Sequence, residues 1–175
     1  RFTILSPAQA SGPVETTRPY SVNLPSGRKI AVFFYDGPIS SAVAFENLLS
    51  SGEKFLAKLR EASQSAGEGA RLTHLATDGE TYGHHHKFGE MALAYALSQL
   101  EAEDGPKLTV YGKFLELHPP TEEVTLIENS SWSCAHGVER WRSACGCRDG
   151  DHPEASLEWR AILRSAMDGL RDEAG

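Results

Sequence analysis

The sequence predicts an α/β protein with parallel strands, and three features support this fold class. Apolar runs rich in β-branched and aromatic residues end at Asp36, Asp78 and Glu128, as is typical of parallel strands covered on both faces. Segments with helical periodicity follow the first two runs. Loops rich in small, polar and helix-breaking residues separate these units. Strands that alternate with helices favour right-handed crossovers and a parallel sheet or barrel.

The first third of the chain predicts two strands and an intervening turn. The opening run "RFTILSP" resembles a strand, and residues 11–30 form an excursion with a hairpin turn at Pro25-Ser26-Gly27. The run "IAVFFYD", which ends at Asp36, predicts the next strand. Apolar residues then recur at helical intervals over residues 39–63, and we expect a helix that breaks at Ser51-Gly52.

The remaining chain predicts two further strands, over residues 71–78 and 123–128, and three helices. The first of these helices has one apolar face, formed by Phe88, Met91, Ala92, Tyr95 and Ala96. A short helix capped by Thr109 follows and ends before Pro119-Pro120. The last helix starts at Pro153, and its apolar face comprises Trp159, Ile162, Leu163, Ala166, Met167 and Leu170.

Composition and charge restrict the classes of partner. Acidic residues outnumber basic ones by 24 to 17, and the formal charge of −7 argues against binding to nucleic acid or to a membrane surface. An uncharged substrate is more consistent with this net negative charge than an anionic one. No apolar stretch approaches the ~20 residues of a membrane span, and no signal peptide is evident, so we expect a cytoplasmic protein. The chain opens inside a strand-like run without a methionine, and we therefore expect a fragment.

The segment "DGETYGHHHKFGE", residues 78–90, is the first candidate functional site. In parallel α/β folds the loops after the strands carry the chemistry, so Asp36, Asp78 and Glu128 are expected on one rim. The alternative is that Asp78 or Glu80 caps the following helix. Asp36 is also a candidate substrate-binding residue.

Three consecutive histidines follow in the same loop. Successive residues point in different directions, so at most two of the three rings are expected to reach a cleft. His84 and His86 are candidates for hydrogen bonds to sugar hydroxyl groups. Solvated residues at a helix entry and ligands to a metal remain alternative interpretations.

The segment "ENSSWSCAHGVERW" is a second candidate site. Trp132 can stack on a sugar face through its flat ring, while Glu128 and His136 offer hydrogen-bond partners to hydroxyl groups. The alternative is that Trp132 and Trp141 serve only packing.

Three cysteines and a histidine allow another interpretation of this segment, a Cys₃His zinc site formed by Cys134, His136, Cys145 and Cys147. Their spacing departs from the usual zinc-knuckle pattern. An odd number of cysteines without a signal peptide argues against a disulfide framework. Reduced thiols, or a bond between Cys134 and one of the other two, are the alternatives.

The two motifs together resemble glycoside hydrolase family 57, in particular its less characterised branch of α-amylase-like and α-mannosidase-like members. "DGETYGH" is similar to the family's Asp-x-Glu-x-aromatic-Gly motif, and "ENSSWSCAHGVERWRSACGC" corresponds to a C-terminal substrate-contacting motif. The resemblance implies a distorted (β/α)₇ TIM-like barrel that cleaves or transfers α-glycosidic bonds with retention. It also implies that Asp78 is the general acid/base. Such an acid needs a raised pKa, which a neighbouring carboxylate favours, so Glu80 is the candidate supporting neighbour. We expect no cofactor, with zinc as the alternative.

The resemblance further implies that residues 1–175 are the C-terminal portion of the barrel. The family's glutamate nucleophile is expected upstream, in a missing N-terminal half, because residues 1–30 do not match its motif. The implied substrate is an oligo- or polysaccharide. Two alternatives are a metal-dependent carbohydrate deacetylase, in which an aspartate and histidines hold the metal, and an inactive carbohydrate-binding domain. We also expect Trp132 on the same rim as Asp78, with the three cysteines clustered behind it.

Overall fold

A three-stranded mixed sheet begins the fold, with strands β1 (Phe2–Leu5), β2 (Tyr20–Asn23) and β3 (Lys29–Phe34). The computed structural model describes residues 1–64, 69–102, 105–147, 152 and 154–175. The chain divides into two compact units, Arg1–Thr125 and Leu126–Gly175, and the sheet belongs to the first.

The order of the strands is β1-β3-β2, with β1 parallel and β2 antiparallel to β3. The predicted hairpin turn is confirmed, because the Leu24 N–H donates to the Arg28 carbonyl at 2.8 Å. Gly27 has φ of 76°, a value in the left-handed region that favours glycine. The connection from β1 to the parallel strand β3 therefore passes through a hairpin, and not through the helix of a βαβ unit.

The central strand β3 is buried on both faces, as its apolar run predicts. Phe33 faces an aromatic cluster, with ring centroids 4.9 Å from Tyr111 and 6.3 Å from Phe114. Phe34 points to the opposite face and contacts Tyr20 with a centroid distance of 5.8 Å.

The described residues of the first unit also form the helices α1 (Gly37–Phe45), α2 (Gly52–Gln64), α3 (Gly89–Ala102) and α4 (Tyr111–Leu117). The predicted break before Gly52 is confirmed, and a single 3₁₀ turn at Leu48–Ser50 separates α1 from α2. These helices bury one apolar cluster, whose members are Ile39, Val43, Leu49, Phe55, Leu56, Ala92, Ala96 and Leu100.

The strand predicted over residues 71–78 is wrong. Its backbone groups bond to three separate segments. The Leu72 N–H donates to the Thr17 carbonyl, and the His74 carbonyl accepts from the Asp36 N–H. The Ala76 N–H donates to the Ser40 hydroxyl. A ladder with one neighbouring strand does not form. The predicted pair of parallel strands that ends at Asp36 and Asp78 is therefore also wrong, although this run passes close to the end of β3.

The strand predicted over residues 123–128 is likewise wrong. Its start makes only an isolated parallel bridge to β2, in which Ser21 donates to the Glu122 carbonyl and accepts from the Val124 N–H. Charged side chains reinforce this contact, since Lys29 Nζ lies 2.7 Å from the Glu123 carboxylate. A further backbone contact follows, in which the Ser11 N–H donates to the Thr125 carbonyl at 2.9 Å, but no continuous ladder forms.

Two details of the predicted helices need correction. In α3 the buried residues are Gly89, Ala92, Ala96 and Leu100, whereas Phe88, Met91 and Tyr95 are exposed. The predicted apolar face is thus divided between the core and the surface. Val110 occupies the N-cap position of α4, and no side chain makes a capping hydrogen bond there, so the prediction that Thr109 caps this helix is wrong.

The second unit consists of a loop with a short 3₁₀ helix at Gly137–Trp141 and of helix α5 (Trp159–Ala174). The final helix is confirmed, but it begins at Trp159, and the predicted start at Pro153 lies outside the described residues. None of its residues is buried within the described part of the chain.

The architecture of the described residues is therefore mixed α/β with parallel and antiparallel strands. The three strands do not close into a barrel. Within the described ranges, no helix combines the length and apolar character required for a membrane span.

Candidate functional site

Asp36 follows the carboxyl end of β3 and caps helix α1. Its Oδ1 accepts from the Ile39 N–H at 2.9 Å, and its own N–H donates to the His74 carbonyl at 3.0 Å. The half-buried carboxylate thus has a structural partner already.

Asp78 precedes a single 3₁₀ turn at Gly79–Thr81, and its carboxylate is exposed. The side chain makes no capping hydrogen bond, so the alternative that Asp78 serves as a helix cap is wrong. Glu80 is also exposed, and its carboxylate lies 3.7 Å from His85 Nε2. Both carboxylates are therefore accessible from solvent.

The loop that carries these carboxylates is held by its own backbone. The Glu80 carbonyl accepts from the N–H groups of His84 and His85 at 3.1 and 3.0 Å, and the His86 N–H donates to the Thr81 carbonyl at 3.2 Å. Gly83 has φ of 119°, a backbone conformation that would be strained for a residue with a side chain. The polar composition of residues 78–90 thus builds a compact, self-bonded loop.

Gly89 allows this loop to approach the helical core. A Cβ atom at Gly89 would lie 3.1 Å from Leu49 Cδ1 and 3.3 Å from the Tyr82 Cα. Gly83 and Gly89 therefore serve different needs, the first a backbone conformation and the second close packing.

The three histidines have different environments. His86 is half-buried, and its Nε2 lies 2.9 Å from the Ala44 carbonyl, so this ring ties the loop to the end of α1. The rings of His84 and His85 are exposed and contact each other at a centroid distance of 5.0 Å. Of the two histidines predicted to bind a ligand, His84 is the more exposed.

Sequence reasoning missed His74, a buried polar residue behind the loop. Its Nε2 lies 3.0 Å from the Thr16 carbonyl and its Nδ1 lies 2.9 Å from the Tyr111 hydroxyl. Burial lowers the pKa of His74, while the Thr16 carbonyl and the charge of Asp36 act in the opposite direction. The sequence did contain a signal for this buried residue, namely a histidine in the middle of the apolar run "RLTHLAT".

An open groove of about 420 Å³ lies beside the start of α3. The exposed side chains of Phe88, Met91 and Tyr95 line it together with residues 49–53. A Cβ atom at Gly52 would lie 2.5 Å from Tyr95 Cδ1, so glycine at this position lets the tyrosine ring cross the start of α2. The sequence predicted these apolar residues but not their exposure.

The second unit carries the aromatic candidate site. Trp132 is 69% exposed and Glu128 is also exposed, so both side chains are accessible. Asn129 and Val138 hold the loop closed, because the Val138 N–H donates to the Asn129 carbonyl at 2.8 Å. Asp78 and Trp132 belong to different units, and their predicted position on one rim remains a prediction.

The three cysteines and His136 lie together, which confirms the predicted clustering of the cysteines. The Cys134 sulfur lies 4.0 Å from that of Cys145 and 3.5 Å from that of Cys147. His136 Nδ1 lies 3.6 Å from Cys134 Sγ and 3.3 Å from Cys147 Sγ. The neighbouring Cys134 raises the pKa of the Cys147 thiol to about 11.

Comparisons with known proteins identify the family. Residues 5–127, more than half of the chain, match glycosyl hydrolase family 57. Among curated proteins, none matches the sequence.

Two solved structures share the fold at low sequence identity. A 4-alpha-glucanotransferase from Thermococcus litoralis has a TM-score of 0.61 and 16% identity, covering 99% of this chain and 25% of its own. An exo-type maltose-forming amylase from Pyrococcus sp. ST04 has a TM-score of 0.65 and 17% identity, covering 94% of this chain and 32% of its own. This chain therefore spans a quarter to a third of the length of these enzymes, and it belongs to glycosyl hydrolase family 57.

Proposed function

We propose that the chain is part of a retaining carbohydrate-active enzyme that hydrolyses or transfers α-glycosidic bonds. The observation that carries the proposal is the exposed pair of Asp78 and Glu80 on a self-bonded loop, inside the segment that matches the family. The names of the two structural neighbours, a 4-alpha-glucanotransferase and a maltose-forming amylase, support an α-glucan as the substrate class.

Asp78 is the general acid/base in this proposal. Retaining glycosidases use two carboxyl groups about 5 Å apart, one of which attacks the anomeric carbon while the other protonates the departing oxygen. An exposed carboxylate without a capping bond is free to exchange a proton with a substrate oxygen. Glu80 is its supporting neighbour, because a nearby negative charge favours the protonated form of an acid.

The nucleophile of the reaction comes from outside this chain. The resemblance that identifies Asp78 also requires a glutamate on an earlier strand, and residues 1–30 contain no match to its motif. We therefore propose that residues 1–175 are one portion of a distorted (β/α)₇ barrel. β1 and β3, which are parallel, would be two of its strands.

Further residues bind the substrate in this proposal. His84 and Trp132 are the most accessible, the first for hydrogen bonds to hydroxyl groups and the second for stacking on a sugar ring. Asp36, His86 and His136 each have one polar atom engaged by the protein, so each offers a single remaining atom to a sugar. Glu128 completes the set as an exposed acceptor.

The deacetylase alternative gains no support from the described residues. That chemistry needs an aspartate and histidines around one metal, but His86 Nε2 faces the Ala44 carbonyl. The potential metal ligands that do converge in the described ranges are the three cysteines and His136.

The test is the substitution Asp78→Asn in the protein that contains this chain and the rest of the barrel. With an unactivated α-glucan, the turnover should fall by ~10²–10⁴, because the leaving oxygen is no longer protonated. With an aryl glycoside whose leaving group needs no proton, much of the first step should survive. Glu116→Gln is the matched control, since it removes an exposed carboxylate that lies on helix α4 and outside the loop.

Three outcomes are distinct. Turnover of the unactivated glycan that survives Asp78→Asn but is abolished by Glu80→Gln would reverse the assigned roles. Equal losses on both substrates would contradict proton donation by Asp78. Sugar binding without turnover in the unsubstituted protein would favour the inactive carbohydrate-binding alternative.

A further inference from the structure

Four side chains of the second unit converge on one point. Cys134, His136, Cys145 and Cys147 each offer one ligand atom, and these atoms all lie within 4.8 Å of one another. From this arrangement we infer that the four residues bind a single zinc ion, which holds the loop of residues 129–147 in its folded form.

The distances fit a tetrahedral zinc site. Zinc bonds to sulfur at ~2.3 Å and to nitrogen at ~2.0–2.1 Å, so ligand atoms at tetrahedral angles lie about 3.5–3.8 Å apart. Four of the six separations are 3.5 and 4.0 Å between sulfurs and 3.3 and 3.6 Å between His136 Nδ1 and sulfur, and none of the six exceeds 4.8 Å. A metal ion at the centre requires only small adjustments of these four side chains.

A disulfide explains the same cluster less well. A bonded pair of sulfurs lies about 2.05 Å apart, whereas all three cysteines are free and their sulfurs surround a common point. A disulfide would engage only two of the four side chains. It would leave the convergence of the third sulfur and of His136 Nδ1 without a physical reason.

Donor groups surround the sulfurs as they do in zinc-thiolate sites. The His136 N–H donates to Cys134 Sγ at 3.4 Å, and the Arg160 guanidinium donates to Cys145 Sγ at 3.8 Å. Three thiolates and one Zn²⁺ carry a net charge of −1, which such donors compensate. Arg160 lies on α5, so it would also link this helix to the metal loop.

The second unit has little else to hold it together. Among its described residues only Cys134 and Gly137 are buried, and α5 buries no residue. Units with so small an apolar core usually need a metal or disulfides, and zinc binding then contributes directly to folding. Four protein ligands complete the coordination of zinc, which makes the role of the metal structural and not catalytic.

The test uses the chain of residues 1–175, reduced and freed of metal with a chelator. Titration with Co²⁺ should saturate at one equivalent and produce the thiolate-to-cobalt charge-transfer and tetrahedral ligand-field bands, and Zn²⁺ should then displace the cobalt. Cys145→Ser and His136→Ala should each weaken binding at least about ten-fold, because each removes a ligand. His118→Ala, a histidine of the first unit, should leave binding unchanged.

A second measurement needs no variant. Zn²⁺ should slow the reaction of all three cysteines with a thiol reagent, and chelator should restore the rate. Failure to bind Co²⁺ after full reduction, a spectrum without sulfur charge transfer, or full-affinity binding in both ligand variants would overturn the inference. So would protection of only two of the three cysteines by Zn²⁺.

Discussion

At the scale of single residues, His74 shows how a buried polar side chain is satisfied. A carbonyl oxygen only accepts, so the hydrogen bond to Thr16 requires the proton on Nε2, and Nδ1 of the neutral ring then accepts from the Tyr111 hydroxyl. The ring also contacts Phe33 at a centroid distance of 5.8 Å. This network connects the run before the loop of residues 78–90 to β3 and to the start of α4.

The lowered pKa of His74 predicts acid sensitivity. The unfolded chain takes up a proton near pH 6.5, whereas the folded protein does so only at lower pH, so the unfolded state binds more protons between these values. The free energy of unfolding should therefore decrease as the pH falls below about 6.5, until the pH reaches the lowered pKa. Urea unfolding followed by far-ultraviolet circular dichroism over this pH range measures the slope.

His74→Gln tests whether this residue causes the slope. The substitution keeps a donor for the Thr16 carbonyl but does not titrate, so it should lower stability at neutral pH and flatten the dependence at acid pH. His118→Gln changes an exposed histidine at the C-terminal end of α4, and this variant should retain the original pH dependence of the free energy of unfolding. An unchanged acid slope in His74→Gln would assign the effect to other groups.

At the scale of elements, the loop of the second unit depends on a glycine. Gly137 has φ of 63°, and a Cβ atom there would lie 2.0 Å from the Asn129 carbonyl oxygen. Gly137→Ala should lower the free energy of unfolding by more than the ~1–2 kcal/mol of a left-handed alanine, because the backbone must also move to relieve the clash.

Tryptophan fluorescence measures this effect selectively, because Trp132, Trp141 and Trp159 all belong to the second unit. Gly169→Ala in α5 is the matched control, since a Cβ atom there meets open space. The control should gain about 0.5–1 kcal/mol from the higher helix propensity of alanine. Equal unfolding midpoints for the two variants would contradict the steric argument.

At the scale of the whole molecule, exposed apolar side chains form two surfaces that stand out among the described residues. One is the groove beside α3, and the other is the stripe of α5 formed by Trp159, Ile162, Leu163, Met167 and Leu170. Contiguous exposed apolar surfaces of this kind are uncommon on monomeric proteins. They are expected to bind apolar probes.

The stripe of α5 predicts the binding of an environment-sensitive apolar dye. Ile162→Lys combined with Leu170→Lys should reduce the fluorescence of the bound dye, because the lysines interrupt the apolar stripe. Ala161→Lys combined with Ser165→Lys adds the same charge to the polar side of the helix and should change it little. Equal fluorescence of the two variants would place the dye elsewhere, such as in the groove.

Local patterns in the sequence predicted much of this protein. The apolar run of β3, the turn at Gly27, the break before Gly52 and the amphipathic α5 are all confirmed, since each depends on the periodicity or conformational preference of neighbouring residues. The family was also predictable, because its motif "DGETYGH" is contiguous in the chain.

Other features were decided only by the tertiary structure, because they depend on segments distant in sequence. Residues 71–78 have a strand-like pattern, but their partners are Thr17, Asp36 and Ser40, so no ladder forms. The periodicity of α3 predicted an apolar face, but it did not predict which residues of that face contact the core. The spacing of the cysteines in the sequence argued against a zinc site. In the folded chain, however, the Cys134 and Cys147 sulfurs lie 3.5 Å apart. The convergence of these side chains depends on the path of the backbone and not on their spacing in the sequence.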